Sequence, residues 1–420
     1  MSDPTLLELS DRILRGEEAI TDHHPFRPSN TLEEVGDGVA FVESFANVSV
    51  IATPDGLCLV DTGSVFAAPA IHSAVRSWSP ERATTAVYTH GHIDHVFGTA
   101  AFEAEGPMRV IGHDGVQPRF DRYRKTAGYN SVINQRQFRA PGLQWPVDYR
   151  EPDVTYSDRL DVDMGGLAFE LHHARGETDD HTWVWVPERK LLCTGDLVIW
   201  CAPNAGNPQK VQRFAEEWAV ALRDMAALEP ELLLPGHGLP IAGAANVRMV
   251  LLDTASLLES LATQTLALMN EGARLNDIIH TVRAPADLID KPYLRPIYDD
   301  PEFIVRNLWR LYGGWYDGNP AELKPARSNA LAIEMATLAG GADVLARRAI
   351  ELAALGNDDD LRLAGHLAEY AALAAPDSAA THRARAEVFR LRASAEPSLM
   401  AKGVFSWAEA ESTRRAEELG

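Results

Sequence analysis

The chain changes its hydrophobic rhythm near residue 245. Before that point, apolar residues alternate with polar ones or gather in short β-branched runs, the period-two signature of strands. Residues 36 to 63, "GDGVAFVESFANVSVIATPDGLCLVDTG", predict an antiparallel meander with Pro-Asp-Gly at a turn. A second strand-rich stretch runs from Val154 to Trp200 and includes "TWVWVPERKLLCTGDLVIW". Between them, helical spacing predicts helices from Ala68 to Trp78 and from Asp94 to Glu105. Strands on both sides of mixed helices predict a layered α/β domain that ends near "LLLPGHGLPIAG".

From Ala245 onward, leucine and alanine recur three and four residues apart. The segments "LARRAIELAAL", "LRLAGHLAEYAAL" and "HRARAEVFRLRA", broken by Gly-Asn-Asp or Ala-Pro-Asp, predict paired amphipathic helices whose leucines are core or interface. Residues 284 to 325 are rich in Pro and aromatics, which predicts a structured connector because aromatic rings favour burial. A chain of 420 residues also exceeds one hydrophobic core. The expected organisation is a first domain over 1–243 with a helical, locally basic insertion near 117–139, a helical extension and connector over 244–320, and an all-α domain over 321–420.

Sixty acidic against 39 basic residues give a net charge of -21, which works against nucleic acid or anionic membrane as a partner. The opening "MSDPTLLELSDRILRGEEAI" interrupts its leucines with charges before a signal-peptide core can form, and no later stretch has the apolar length of a spanning helix. Cys58, Cys193 and Cys201 lack C-x-x-C spacing, so neither a disulfide framework nor a thiolate zinc site is indicated. A reducing cytoplasm is the expected compartment.

Candidate chemistry concentrates in "YTHGHIDHVFG", residues 88 to 98. If "AVYTH" continues a strand, His90 and His92 project to one side, with Asp94 and His95 following where a helix begins. A divalent cation would resolve the crowding by taking neutral imidazoles and a carboxylate as ligands. Glu177, Asp196 and His237 each follow an apolar strand, the exits at which open α/β sheets place their sites.

These motifs, H-x-H-x-D-H at 90 to 95, Gly-Asp at 195 to 196, Pro-Gly-His at 235 to 237 and the preceding "VDTG" at 60 to 63, resemble the metallo-β-lactamase superfamily. The resemblance implies an αββα sandwich with two metals at one edge. His90 and His92 would hold the first metal, Asp94, His95 and His237 the second, and Asp196 would bridge, with Asp61 orienting a ligand imidazole from behind. "RGET" replaces the usual "PGHT", so Glu177 stands where the first metal's third ligand should be, as in the alkylsulfatase branch. "YGGWYDGNPAELKPA" and "EPSLMAKGVFSWA" are similar to the dimerisation domain that follows the catalytic domain in those enzymes. Two departures stand out. The alkylsulfatase E-N-x-x-H motif with its sulfate-gripping arginine has "GDLVIWCAPNAGNPQK" in its place, and the sterol-carrier-like third domain of the larger members is expected to be missing.

The resemblance implies a dinuclear hydrolase of an alkyl sulfate or related small ester, working as a homodimer through its C-terminal helices. Two divalent ions, zinc before iron or manganese, would activate the attacking water, and Asp94 and Asp196 would orient it or accept its proton. His181, four residues beyond Glu177, is a candidate general acid, while the adjacent His172 and His173 read as structural. Arg136 is a candidate clamp for an anionic group, against the alternative of a solvated basic helix paired with the protein's own carboxylates. Asn204, Lys210 and Arg213 are weaker candidates of the same kind. Tyr129, Trp145 and Trp200 could form an apolar substrate wall, although core packing explains aromatics more often. Hydrolysis of a carboxylic ester, lactone or amide is the alternative reaction, and an iron-dependent redox protein or a binding scaffold are the alternative classes.

Overall fold

The computed structural model describes residues 4–26 and 29–420. The chain forms two compact units, one from residues 1–127 and 146–314, the other from 128–145 and 315–420. The expected break after residue 243 therefore lies inside the first unit, at the start of the helix Ala244–Asn270.

The first unit is built on two sheets. The first runs β1 (Thr31–Gly36), β2 (Val39–Glu43), β3 (Val48–Thr53), β4 (Gly56–Val60), β5 (Ala83–Val87), β6 (Arg109–His113) and β7 (Val154–Tyr156), in that order. The expected meander is present: β1 to β4 pair antiparallel, with Pro54 and Asp55 in the β3–β4 turn and Thr53 facing Gly56. β4 to β7 then pair parallel, and the helix Ala68–Trp78 makes the β4–β5 crossover. The second sheet comprises β8 (Arg159–Met164), β9 (Leu167–His173), β10 (Thr182–Val186), β11 (Leu191–Gly195), β12 (Leu232–Pro235) and β13 (Ile241–Ala242), ordered β13-β12-β11-β10-β9-β8. The faces touch where Gly36 meets Leu232. Helix Ala68–Trp78 packs on β1 and β2, and helix Ala244–Asn270 on β12 and β13. Every residue of β4, β10 and β11 is buried, because these strands are covered on both faces. This is the expected αββα sandwich.

The helix expected from Asp94 to Glu105 is two short pieces, Ile93–Val96 and Thr99–Glu103. Gly98 sits at the break, where a Cβ would run into the Thr62 carbonyl oxygen and its amide donates to Gly63. Close approach of the loop after β4 wins over helix propagation there. Residues 117–139 are helical as expected, in the pieces Val116–Lys125 and Ala127–Phe138, but Arg119 is buried rather than solvated.

The second unit is all-α, with helices Ser328–Ala339, Ala342–Ala353, Asp358–Ala374, Ala379–Ala395 and Leu399–Leu419 beside Ala127–Phe138. Asn357, Ser378 and Ser398 cap three of them by accepting backbone N–H bonds. Its cores are alanine-rich: Ala349, Ala353, Ala364 and Ala368 pack with Leu352, Leu361 and Val388. Small side chains let the helices approach closely, and leucines outside those cores, such as Leu338 and Leu355, are exposed.

Candidate metal centre

The donors stand where strands of the first unit end. Asp61 follows β4, Asp196 follows β11 and His237 lies two residues past β12. His90 and His92 are not on a strand, contrary to expectation, because β5 ends at Val87. The chain leaves the sheet there: Thr89 N–H donates to Asp61 Oδ1 at 2.7 Å, and the Thr89 carbonyl accepts from Thr182 N on β10 at 2.6 Å. The histidine loop is thus stitched to both sheets.

Two donor groups result: His90, His92, Glu177 and Asp196, and Asp94, His95 and His237. Asp196 reaches both, with Oδ2 at 3.7 Å from His90 Nε2 and Oδ1 at 3.3 Å from both His95 Nε2 and His237 Nε2. Asp94 Oδ2 lies 3.7 Å from His95 Nε2 and 3.8 Å from His237 Nε2. Glu177 Oε2 and Oε1 lie 4.0 Å from His90 Nε2 and His92 Nδ1 respectively. His90 Nε2 and His92 Nδ1 are closer, at 2.7 Å.

Protein acceptors orient three of these rings. His95 Nδ1 donates to Asp61 Oδ2 at 2.7 Å, His237 Nδ1 to the Phe45 carbonyl, and His90 Nδ1 to Thr89 Oγ1 at 3.0 Å. With the proton on Nδ1, each Nε2 lone pair points into the pocket. Asp61 thus orients a ligand-type imidazole, that of His95.

The donors fit a pair of divalent cations. Among the described residues, His95 Nε2, Asp196 Oδ1 and Glu177 Oε2 are buried without a hydrogen bond, a costly arrangement unless another partner is present. Four nitrogen or oxygen ligands around one ion stand about 3.4 Å apart, close to most of these separations. Electrostatics favour the ligand form at His90 and Asp196, whereas at His95 burial is outweighed by Asp196, Asp61 and Asp94, which raise it well above the usual histidine range. Burial, then the neighbouring imidazoles, holds His90 well below the usual histidine range, so it stays neutral as a ligand must. Burial opposes charge on Asp196, but His237 and His95 outweigh it and keep its carboxyl well below the usual range. Burial pushes Glu177 well above its usual range against the pull of Arg213.

His181 belongs to neither group. It is fully buried and stacks on His90 at 4.9 Å, and its Nε2 accepts from the Asp196 N–H at 3.1 Å. Burial lowers its pKa to about 4. A neutral ring with its acceptor nitrogen so engaged is a support for Asp196, so the expectation of a general acid is not retained. His172 and His173 are structural: one stacks on Trp183 at 4.0 Å, the other on His113 at 3.7 Å.

The substrate candidates divide between the two units. Trp200 is fully buried and donates to Leu239 O at 2.7 Å, so it braces the His237 loop and forms no wall. Asn204 is buried and donates to Glu177 Oε1. Arg213, 2 % exposed, pairs with Glu177 Oε1 at 2.8 Å. Lys210 is half-buried; burial and the charge of Arg213, opposed by Asp94 and Glu177, bring its pKa down to about 7. Arg136 and Tyr129 lie on the helix Ala127–Phe138, and Trp145 also belongs to the second unit, where Tyr129 is 61 % exposed.

Several residues of the pocket carry no signal in the sequence. Asp180 accepts from Gly91 N–H at 2.9 Å and from Arg119 Nε at 2.6 Å, which fixes the loop between His90 and His92. Asn47 donates to Pro235 O and Gly238 O at 3.0 and 2.9 Å, bracketing His237. Phe26 lies 4.3 Å from the His237 ring and stacks on Tyr298 of the connector at 4.0 Å.

Comparison with known proteins agrees with this geometry. Residues 42–237 match the family model of the Metallo-beta-lactamase superfamily, and residues 274–415 match that of Alkyl sulfatase dimerisation. A linear primary-alkylsulfatase of a Pseudomonas strain is 26% identical, over 70% of this chain and 61% of its own length. An (R)-specific secondary-alkylsulfatase of Pseudomonas is 27% identical, over 79% of this chain and 54% of its own. The chain thus spans little more than half the length of these relatives. The solved structure of a stereoselective inverting sec-alkylsulfatase from Pseudomonas superposes with a TM-score of 0.80 at 22% identity, over 93% of this chain and 66% of that one, which shows a shared fold. Residues 42–237 are thus similar to the metallo-β-lactamase superfamily and residues 274–415 to the alkyl sulfatase dimerisation family, the pairing that the alkylsulfatase-like branch carries.

Proposed function

We propose that this protein is a dinuclear metal-dependent hydrolase of an alkyl sulfate or related small ester. The observation that carries the reading is the convergence of seven donors into two groups that share Asp196. His90, His92, Glu177 and Asp196 would hold one cation, and Asp94, His95, His237 and the other oxygen of Asp196 the second. Two divalent cations there would supply water activation at neutral pH and stabilise charge developing on the ester. With two imidazoles and two carboxylates for each ion, zinc leads, and manganese or iron suits the same donors.

The chain's own residues do the rest. Asp94 is the carboxylate of the set most open to solvent, with its side chain 21 % exposed, so it is placed to take the proton of an attacking water. Lys210 is the candidate partner for an anionic ester group in its charged form, which burial and Arg213, by lowering its pKa to about 7, confine to neutral and acidic pH. The alkylsulfatase names of the relatives support this substrate class. The dimerisation-family match and the exposed Leu331, Ile333 and Leu338 of the helix Ser328–Ala339 support a homodimer. A cytoplasmic location is part of the proposal, supported by three buried, unpaired cysteines.

The test combines metal analysis with product identification on medium-chain alkyl sulfates and matched carboxylic esters. Two bound ions and sulfate release are expected. His92→Ala and His237→Ala should each lose an ion and lower kcat/KM by about a hundredfold or more while the fold persists by circular dichroism. Release of carboxylate alone would move the reading to an ordinary esterase; undiminished turnover in either variant would refute the site.

A further inference from the structure

We infer that Arg213 is the positioning residue that makes Glu177 usable as a metal ligand, a reading that rests on the dinuclear centre proposed above. The resemblance of "RGET" to "PGHT" implies that Glu177 stands where a neutral imidazole would otherwise be, which would give this pocket one negative charge more, at a residue only 2 % exposed. A buried carboxylate without a partner is strongly disfavoured. Arg213, equally buried, supplies the partner: a guanidinium nitrogen lies 2.8 Å from Glu177 Oε1 and also donates to the Glu177 carbonyl oxygen. One cation therefore holds both the side chain and the backbone of the same residue.

The two oxygens of Glu177 are thereby given different tasks. Oε1 receives Arg213 and the Asn204 amide, while Oε2 is buried without a hydrogen bond and lies 4.0 Å from His90 Nε2. Oε1 also lies 4.0 Å from His92 Nδ1, so what separates the two oxygens is that Oε1 is already engaged, and the unpartnered Oε2 is the one that would be free to hold the first cation. Arg213 is itself held in place, because its carbonyl accepts from Asn307 Nδ2 at 3.1 Å and from Gln212 Nε2 at 2.8 Å. Both the guanidinium geometry and the enclosure leave it poorly placed to clamp a substrate, the role its position after Asp196 first suggests. The consequence is a matched pair: a glutamate at this ligand position requires a buried cation, and a histidine there does not.

The experiment measures metal content and chelator-competition affinity for each of two zinc ions in wild type, Arg213→Met, Arg213→Lys, Glu177→His and the double variant Glu177→His/Arg213→Met, using the full chain. Arg213→Met should bind its weaker ion at least tenfold less tightly and leave the other ion within twofold. Arg213→Lys should recover part of the loss. Once Glu177 is His, the Arg213→Met change should cost less than twofold, an interaction that a merely structural arginine would not show. If Arg213→Met does not fold, the Lys variant and the double variant decide: intermediate affinity in the first and two ions in the second uphold the inference, and wild-type affinity in the first or loss of an ion in the second overturns it. Arg213→Met with two ions at wild-type affinity overturns the inference alone. A wild type that binds no zinc, manganese or iron overturns the dinuclear reading and this one together.

Discussion

Asp299 illustrates how a single buried group sets behaviour around this pocket. Its carboxylate accepts from Gly206 N–H at 2.6 Å, from Asn207 N–H at 3.3 Å and from Asp300 N–H at 2.8 Å, and so pins the loop that follows Asp196. It is fully buried, and burial pushes its pKa up to about 7, against those three donors. The folded state therefore holds a proton that the unfolded state releases near pH 4, and stability falls as pH rises from there toward 7. Asp299→Asn removes this titration. Relative to wild type, the variant should gain about 2 kcal/mol between pH 5.5 and pH 8, read from denaturant unfolding at both values. A difference between the two proteins that does not change with pH would dispose of the buried proton. The imidazoles obey related logic: Thr89 Oγ1, Asp61 Oδ2 and the Phe45 carbonyl each accept a hydrogen bond from Nδ1–H and so decide which nitrogen faces the pocket.

At the scale of elements, the pocket is assembled by loops that bridge the two sheets. The β2–β3 turn matters most for His237. Asn47 accepts from Ser44 N–H at 3.1 Å, gives both amide protons to carbonyls flanking His237, and donates its own N–H to Gly236 O at 2.8 Å. Asn47→Ala would leave a buried amide and two buried carbonyls without partners, at about 1–3 kcal/mol each before relaxation. A net loss of about 3 kcal/mol is expected by chemical denaturation, with weakened binding of the cation that His237 would hold; wild-type stability would show that water replaces the amide without cost. The break at Gly98 belongs to the same scale. Helix propensity predicts one helix there, and contact with Thr62 divides it.

For the whole molecule, the second unit offers an apolar surface that its own alanine-rich cores do not use. Leu338 is 75 % exposed, Ile333 51 % and Leu331 41 % on one helix. Isolated exposed leucines are unremarkable, but several on one helix of a dimerisation-family segment favour a subunit contact. Ile333→Glu with Leu338→Glu should convert a dimer to a monomer in sedimentation experiments without loss of helical circular dichroism. A wild type that sediments as a monomer at micromolar concentration would end that proposal. Among the described residues no helix is long and apolar enough to cross a membrane.

The sequence by itself determined the meander within 36–63, the strands between Val154 and Trp200, the helical second half and the candidate donors, but not β6. Each of these is written within a short window: alternation in "VSVIA", three- and four-residue spacing after Ala245, and His90 to His95 as one motif. Tertiary structure alone decided how those donors are aimed and charged. Arg119 meets Asp180 across 61 positions and Asn47 meets Gly238 across 191, and neither pairing leaves a local trace. The same long-range packing turned Trp200 inward, gave Asn204 and Arg213 to Glu177, and made His181 an acceptor for Asp196. Periodicity reports which face of an element is buried. Only the folded chain specifies which hydrogen-bond and charge partners that burial supplies.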